Sequence, residues 1–141
     1  AVGGGVGARC GGAGGGSVGW IDGAASDAGA AGLVTHGGHK GEALVLTGGQ
    51  ALTYDEIAAA FAAELGQDVQ YHDVPPEVTR DNLLGYGLPA GQVEDILALF
   101  AIFRAGYAST VTPTVAEILG RPPRSLSTFV HDHRSLFTSS A

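Results

Sequence analysis

Residues 41–66 read GEALVLTGGQALTYDEIAAAFAAELG, and this stretch decides the architecture. Ala43-Leu44-Val45-Leu46, closed by Thr47-Gly48-Gly49, predicts a short strand covered on both faces. Thr53 then offers an oxygen to the first free backbone N–H groups of a helix. Glu56, three residues on, can reach back to complete a capping box. Ile57, Phe61 and Leu65 recur at four-residue spacing with Ala58 and Ala62 beside them, which predicts an amphipathic helix that stops at Gly66. Strand, turn and helix make half of a βαβ unit, so the expected class is α/β.

Downstream, residues 69–74 (VQYHDV) alternate and are rich in β-formers, predicting a second strand that Pro75-Pro76 stops. A short helix is expected over 77–84 and a longer one from Ala90, with Val93, Ile96, Leu97, Phe100 and Phe103 as its apolar stripe. Thr112-Pro113 predicts another helix, threonine as cap and proline in the first turn, ended by Gly120. Ser125 or Ser127 caps a last helix whose apolar face is Leu126, Phe129, Val130, His133 and Phe137. His131 and His133, two apart, point to different faces of such a helix and make a poor metal pair.

Upstream, the chain changes character. Glycine accounts for 24 of 141 residues, and residues 1–19 hold ten of them, with one arginine and no large apolar side chain. Ordering such a segment costs backbone entropy with little apolar burial in return, so residues 1–19 are expected to be disordered, with the folded unit at 20–141. A dinucleotide-binding reading of these glycines fails, because no hydrophobic strand precedes them and no amphipathic helix follows. Residues 23–32 are a weak helix candidate, and residues 35–41 read as a loop. His36 and His39 have metal-compatible spacing but no carboxylate or thiol cluster to complete a shell.

The formal charge of −7, with one lysine and six scattered arginines, argues against a nucleic-acid surface, which needs clustered cations. Cys10 stands alone and cannot form an internal disulfide. No run of eighteen apolar residues and no signal-peptide pattern occurs, so no membrane partner is expected and the cytoplasm is the default.

Several short pieces, taken in order, resemble the C-terminal half of NmrA-like NAD(P)-binding proteins, an atypical branch of the short-chain dehydrogenase/reductases. They are Trp20-Ile21-Asp22, Gly41 to Gly48 followed by Ala51-Leu52-Thr53-Tyr54-Asp55-Glu56-Ile57-Ala58, Tyr71-His72-Asp73-Val74-Pro75, Gly87-Leu88-Pro89, Gly106-Tyr107, Thr110-Val111 and Gly120-Arg121-Pro122-Pro123-Arg124-Ser125 before Phe129-Val130. The resemblance implies a partial Rossmann-like sheet of two or three short strands with a predominantly helical substrate subdomain. It also implies a parent whose N-terminal Rossmann half binds NAD(P)H. The cofactor fingerprint is not in this chain, so no cofactor-binding residues are expected here. With the glycine-rich start, this predicts a truncated or frame-disrupted chain.

The resemblance implies an oxidoreductase-family protein acting on a small carbonyl, quinone or aromatic compound, of which this is the substrate-side portion, inactive in isolation. The alternative it carries is a non-catalytic NAD(P)-sensing regulator. The usual catalytic tyrosine with a lysine four positions later is missing, because Tyr54, Tyr71, Tyr86 and Tyr107 are followed there by Ala58, Pro75, Ala90 and Val111. Substrate contacts are expected from loops at strand ends. Trp20 and Tyr86 would wall an aromatic ring, Thr47 and His72 would hydrogen-bond a carbonyl or hydroxyl, and Asp22 and Gly48 lie beside them. The structural alternative makes Thr47-Gly48 a turn, His72 a strand residue, and Trp20 and Tyr86 core. The sheet edge left by an absent half predicts self-association.

Overall fold

The computed structural model describes residues 8–36, 39 and 41–138. The expectation for residues 1–7 lies outside these, as do the side chains of Cys10 and His36. The chain is α/β with a helical majority. In order it forms β1 (Ala8–Gly11), β2 (Ser17–Gly19), α1 (Gly23–His36), β3 (Ala51–Thr53) and α2 (Tyr54–Leu65). There follow β4 (Gln70–Asp73), α3 (Pro76–Gly85), α4 (Ala90–Arg104), α5 (Thr114–Leu119), α6 (Leu126–Asp132) and α7 (Arg134–Thr138). The strands form two separate pairs. β1 runs parallel to β4, with Ala8 opposite Gln70 and Gly11 opposite Asp73. β2 runs antiparallel to β3, with Ser17 opposite Thr53.

The central helix forms as its local signals require. Thr53 Oγ1 accepts a hydrogen bond from the Glu56 N–H at 3.2 Å, and Glu56 Oε2 accepts one from the Thr53 N–H at 2.8 Å. Gly66 closes α2 in the left-handed region at φ 66°. α2 then lies against β4, α6 and α7, while α1 packs on α5 and α3 on α4. Val93, Val115 and Val130 are fully buried and mark the small core.

Four expectations are corrected. Residues 43–46 form no strand, because no strand lies alongside them among the described residues. One of their carbonyls turns to a side chain instead: Thr112 Oγ1 donates to the Val45 carbonyl at 2.6 Å. That bond also removes Thr112 from its expected capping role. Pro113 takes the cap position, with no side-chain cap bond, and the helix starts at Thr114. The last helix breaks at His133 into α6 and α7. Ser125 caps α6 by accepting from the Thr128 N–H at 3.1 Å. Finally, where composition predicts disorder through Gly19, residues 8–11 and 17–19 are strands.

The glycines of that segment have a steric reason. A Cβ on Gly16 would run into the Phe103 carbonyl at the end of α4, so only glycine lets the β1–β2 turn sit there. The turn is also clamped by charge. Arg104 Nη2 and Nη1 donate to the two oxygens of Asp73 at 2.8 and 3.1 Å, and Nη2 also donates to the Gly12 carbonyl at 2.9 Å. Asp73 Oδ1 accepts from the Gly14 N–H, and the Tyr71 hydroxyl accepts from the Ala13 N–H.

Partial desolvation opposes ionisation of Asp73, yet the Arg104 guanidinium and the Gly14 amide together hold its carboxyl below the usual value. A depressed folded-state value means that the stabilisation is complete above the unfolded carboxylate range and is lost as pH falls through the folded value. The pair is half-exposed, so it contributes at most about 1 kcal/mol. Arg104→Ala should therefore lower the melting midpoint at pH 6, and the gap to the parent should close as both are taken below about pH 4. A gap that stays constant down to pH 2.5 would remove the clamp from the account.

Candidate functional site

A cleft of about 640 Å³ lies between the segment 20–23, the β3–α2 corner and the start of α6. Each wall has a local cause. β2 ends at Gly19, and the chain turns outward to place Trp20 at the rim, 42% exposed. Asp22 caps α1, its Oδ1 accepting from the Ala25 N–H at 2.5 Å. The capping box fixes the first turn of α2 and so sets Tyr54 and Ile57, with Phe61 one turn further on. Pro123 and Arg124 form the corner before α6, and Phe129 closes the far side.

Two groups of rings stand at the cleft, each with one or two members lining it. Trp20 meets Tyr54 edge-on, with centroids 6.0 Å apart, and Tyr54 leans on Tyr71 at 5.2 Å. Phe129 stacks on His133 at 4.5 Å, and the His133 Nδ1 lies 2.9 Å from the Phe129 carbonyl. Burial pushes the Tyr54 phenol above its ordinary value, so at neutral pH it is a neutral hydrogen-bonding group. Mainly apolar walls with few placed polar groups are what a small-molecule site requires.

The polar end of the cleft is an ionic trio. Arg124 Nε stands 2.7 Å from Asp22 Oδ2, and Arg124 Nη1 donates to Asp132 Oδ2 at 2.9 Å. The Asp22 side chain is 8% exposed and that of Arg124 is 26% exposed. The Nε contact is out of line for a hydrogen bond. Asp22 Oδ2 is thus buried without a hydrogen-bond partner among the described residues.

Of the residues expected to meet substrate, Trp20 and Asp22 line this cleft. Thr47 and Gly48 lie behind it. The Thr47 Oγ1 accepts from the Thr112 N–H at 2.8 Å and donates to the Gly48 carbonyl at 3.0 Å. Gly48 sits directly against the Trp20 carbonyl, and its neighbour Gly49 reaches the cleft. His72 is exposed on β4 opposite Cys10, and Tyr86 caps the end of α3 at 53% exposure; neither lines the cleft. Trp20 and Tyr86 are therefore not core residues. Sequence reasoning missed Tyr54, Phe61, Arg124 and Phe129 as walls, having placed them as helix or corner residues. The proximity of Tyr54 to its own helix cap was the one usable signal.

The glycine turn after β1 is occupied largely by the protein's own side chains. In the glycine turn after β1, the Ala13 and Gly14 amides are taken by Tyr71 and Asp73, and the Gly16 N–H turns back to the Ala13 carbonyl at 3.4 Å. Arg104 is committed to Asp73 and Gly12. The Ala13, Gly14 and Gly16 amides are thus not turned outward to a pyrophosphate as in a phosphate cradle. Among the described residues, no cluster of three or more His, Cys, Asp or Glu side chains gathers to hold a metal ion, and no helix is long and apolar enough to cross a membrane.

No family model matches the chain. It is 34% identical over 122 residues to an NAD(P)H azoreductase of Xenophilus azovorans, covering 86% of this chain and 43% of that protein. In structure it is similar to the NADPH-dependent quinone oxidoreductase of Escherichia coli in complex with NADPH. The TM-score is 0.81 at 25% identity, covering 93% of this chain and 45% of that one. It is similar also to the triphenylmethane reductase of Citrobacter sp. complexed with NADP(H). There the TM-score is 0.77 at 25% identity, covering 86% of this chain and 43% of that one. The chain spans less than half the length of each of these proteins.

Proposed function

Since the chain corresponds to the C-terminal part of NAD(P)H-dependent oxidoreductases of the NmrA-like, atypical short-chain dehydrogenase/reductase type, we propose that it is the substrate-side portion of such an enzyme. Residues 20–141 form the substrate unit in this reading. The compound accommodated is a small quinone, carbonyl or other aromatic molecule, and the setting is cytoplasmic. The observation that carries the reading is the aromatic-walled cleft with one polar end. Trp20 and Tyr54 face the ring system and Phe129 closes over it, while Asp22 and Arg124 fix its orientation from the polar end. The nicotinamide supplies hydride chemistry in such enzymes, and the protein positions substrate against it. In this reading cofactor binding belongs to the part of the relatives that lies outside this match, since the Ala13, Gly14 and Gly16 amides of the glycine turn are already taken.

The chain alone is therefore expected to bind quinone without turnover. Titration with 1,4-naphthoquinone, read by the emission of Trp20 (the sole tryptophan), should show saturable quenching that Phe129→Ala weakens about tenfold. Quenching that is linear, or indifferent to Phe129→Ala, would remove the cleft as the site. NADPH should leave the thermal midpoint where it is, since only a ligand of the folded state raises it. Steady oxidation of NADPH by this chain with quinone would overturn the inactive reading. Exposed apolar side chains, among them Val34, Val45, Leu99 and Ile102, support self-association of the isolated chain. Sedimentation as a compact monomer would remove that part. The nucleotide-sensing alternative gains nothing from the occupied amides of the glycine turn.

A further inference from the structure

We propose that the cleft selects its occupant by charge, taking a positively charged flat aromatic compound in preference to an anionic one of the same shape. This rests on the reading of the cleft as the substrate site and adds to it the class of compound preferred. Among the described residues, two charged side chains line the cleft, Asp22 and Arg124. The cation is already committed, because Arg124 lies between Asp22 and Asp132, and the three groups together carry one net negative charge.

The least satisfied atom of the trio is also an anion. Asp22 Oδ2 is buried, meets Arg124 only out of line and has no hydrogen-bond partner among the described residues. A helix N-terminus would ordinarily attract an anion, but at α1 Asp22 already occupies that place. An anionic ligand reaching Arg124 would have to draw it away from a carboxylate and leave Asp22 buried without its counter-charge. A cation meets the opposite balance. Trp20, Tyr54 and Phe129 line the cleft, an aromatic ring attracts a cation to its face through its quadrupole, and apolar walls weaken the screening of the residual negative charge.

Equilibrium dialysis of the full chain against a cationic triarylmethane dye and its sulfonated, anionic analogue tests this. The cationic dye should bind at least about tenfold more tightly. Asp132→Asn, which removes one charge behind Arg124, should narrow that ratio, whereas Asp95→Asn on α4, which removes one charge outside the cleft lining, should leave it. Equal or tighter binding of the sulfonated dye would overturn the proposal while leaving the cleft as the site. A ratio that both substitutions change alike would overturn it too, by assigning the preference to the overall charge of −7. Absence of binding by either dye and by naphthoquinone would remove the cleft reading itself.

Discussion

Gly48→Ala is expected to be the most damaging single methyl in the protein. At Gly48 a Cβ would enter the van der Waals envelope of the Trp20 carbonyl oxygen, with the rest of that peptide close behind. Backbone cannot swing aside as a flexible side chain can, so one of two crossing segments must move. One of them leads into the cap of α1 at Asp22, and the other holds the buried Thr47–Thr112 contact. Overpacking against side chains costs about 1–3 kcal/mol, and a backbone collision belongs at or above the top of that range. In a domain with so small a core, that shifts the thermal midpoint by ten degrees or more. Circular dichroism melts of the parent and the variant decide it. A loss of less than a degree would show that the crossing is loose.

The second large effect is expected at Arg124. Arg124→Ala leaves Asp22 almost fully buried beside an apolar cleft with its counter-charge gone. Removing one partner of a buried pair costs about 3–5 kcal/mol. Arg124 is a quarter exposed and water can enter where it stood, so about 2 kcal/mol is the expected loss. Arg124→Lys should restore only part of this, because a single ammonium cannot face Asp22 and Asp132 as the forked guanidinium does. Chemical denaturation of both variants tests the point. If lysine restores all of the loss, the geometry of the fork is irrelevant; if alanine costs nothing, Asp22 is solvated.

The parts of the fold legible in sequence were those whose causes are local. Thr53, Glu56 and Gly66 specify α2 within one segment, and the capping box and left-handed cap form as read. The strand at Gln70–Asp73 and the helices at Pro76–Gly85 and Ala90–Arg104 follow from alternation and stripe.

What was missed depends on partners distant in sequence. α1 has no apolar stripe. It is held by the Asp22 cap and by packing on α5, where Gly32 lets Ile118 come close. The glycines before Gly19 look like linker composition until Phe103 and Arg104 are seen against them. Thr112 has the sequence of a helix cap and the function of a strut, because the Val45 carbonyl lies within reach. The cleft shows the same division. Trp20 and Asp22 stood out as a cluster, but Arg124 reaches them only through the tertiary fold.

The pairing of β1 with β4 also has a consequence in time. Ala8 meets Gln70 and Gly11 meets Asp73 with α1 and α2 both lying between them in sequence, so the parallel ladder closes a long loop. Loop closure must precede any reward from such contacts, which makes this ladder late to form, after α2 has folded on its own capping signals. In amide hydrogen exchange, the N–H groups that β1 and β4 share should therefore open before those of α2. The junction between the glycine-rich segment and the folded body would then be the place where this molecule first comes apart.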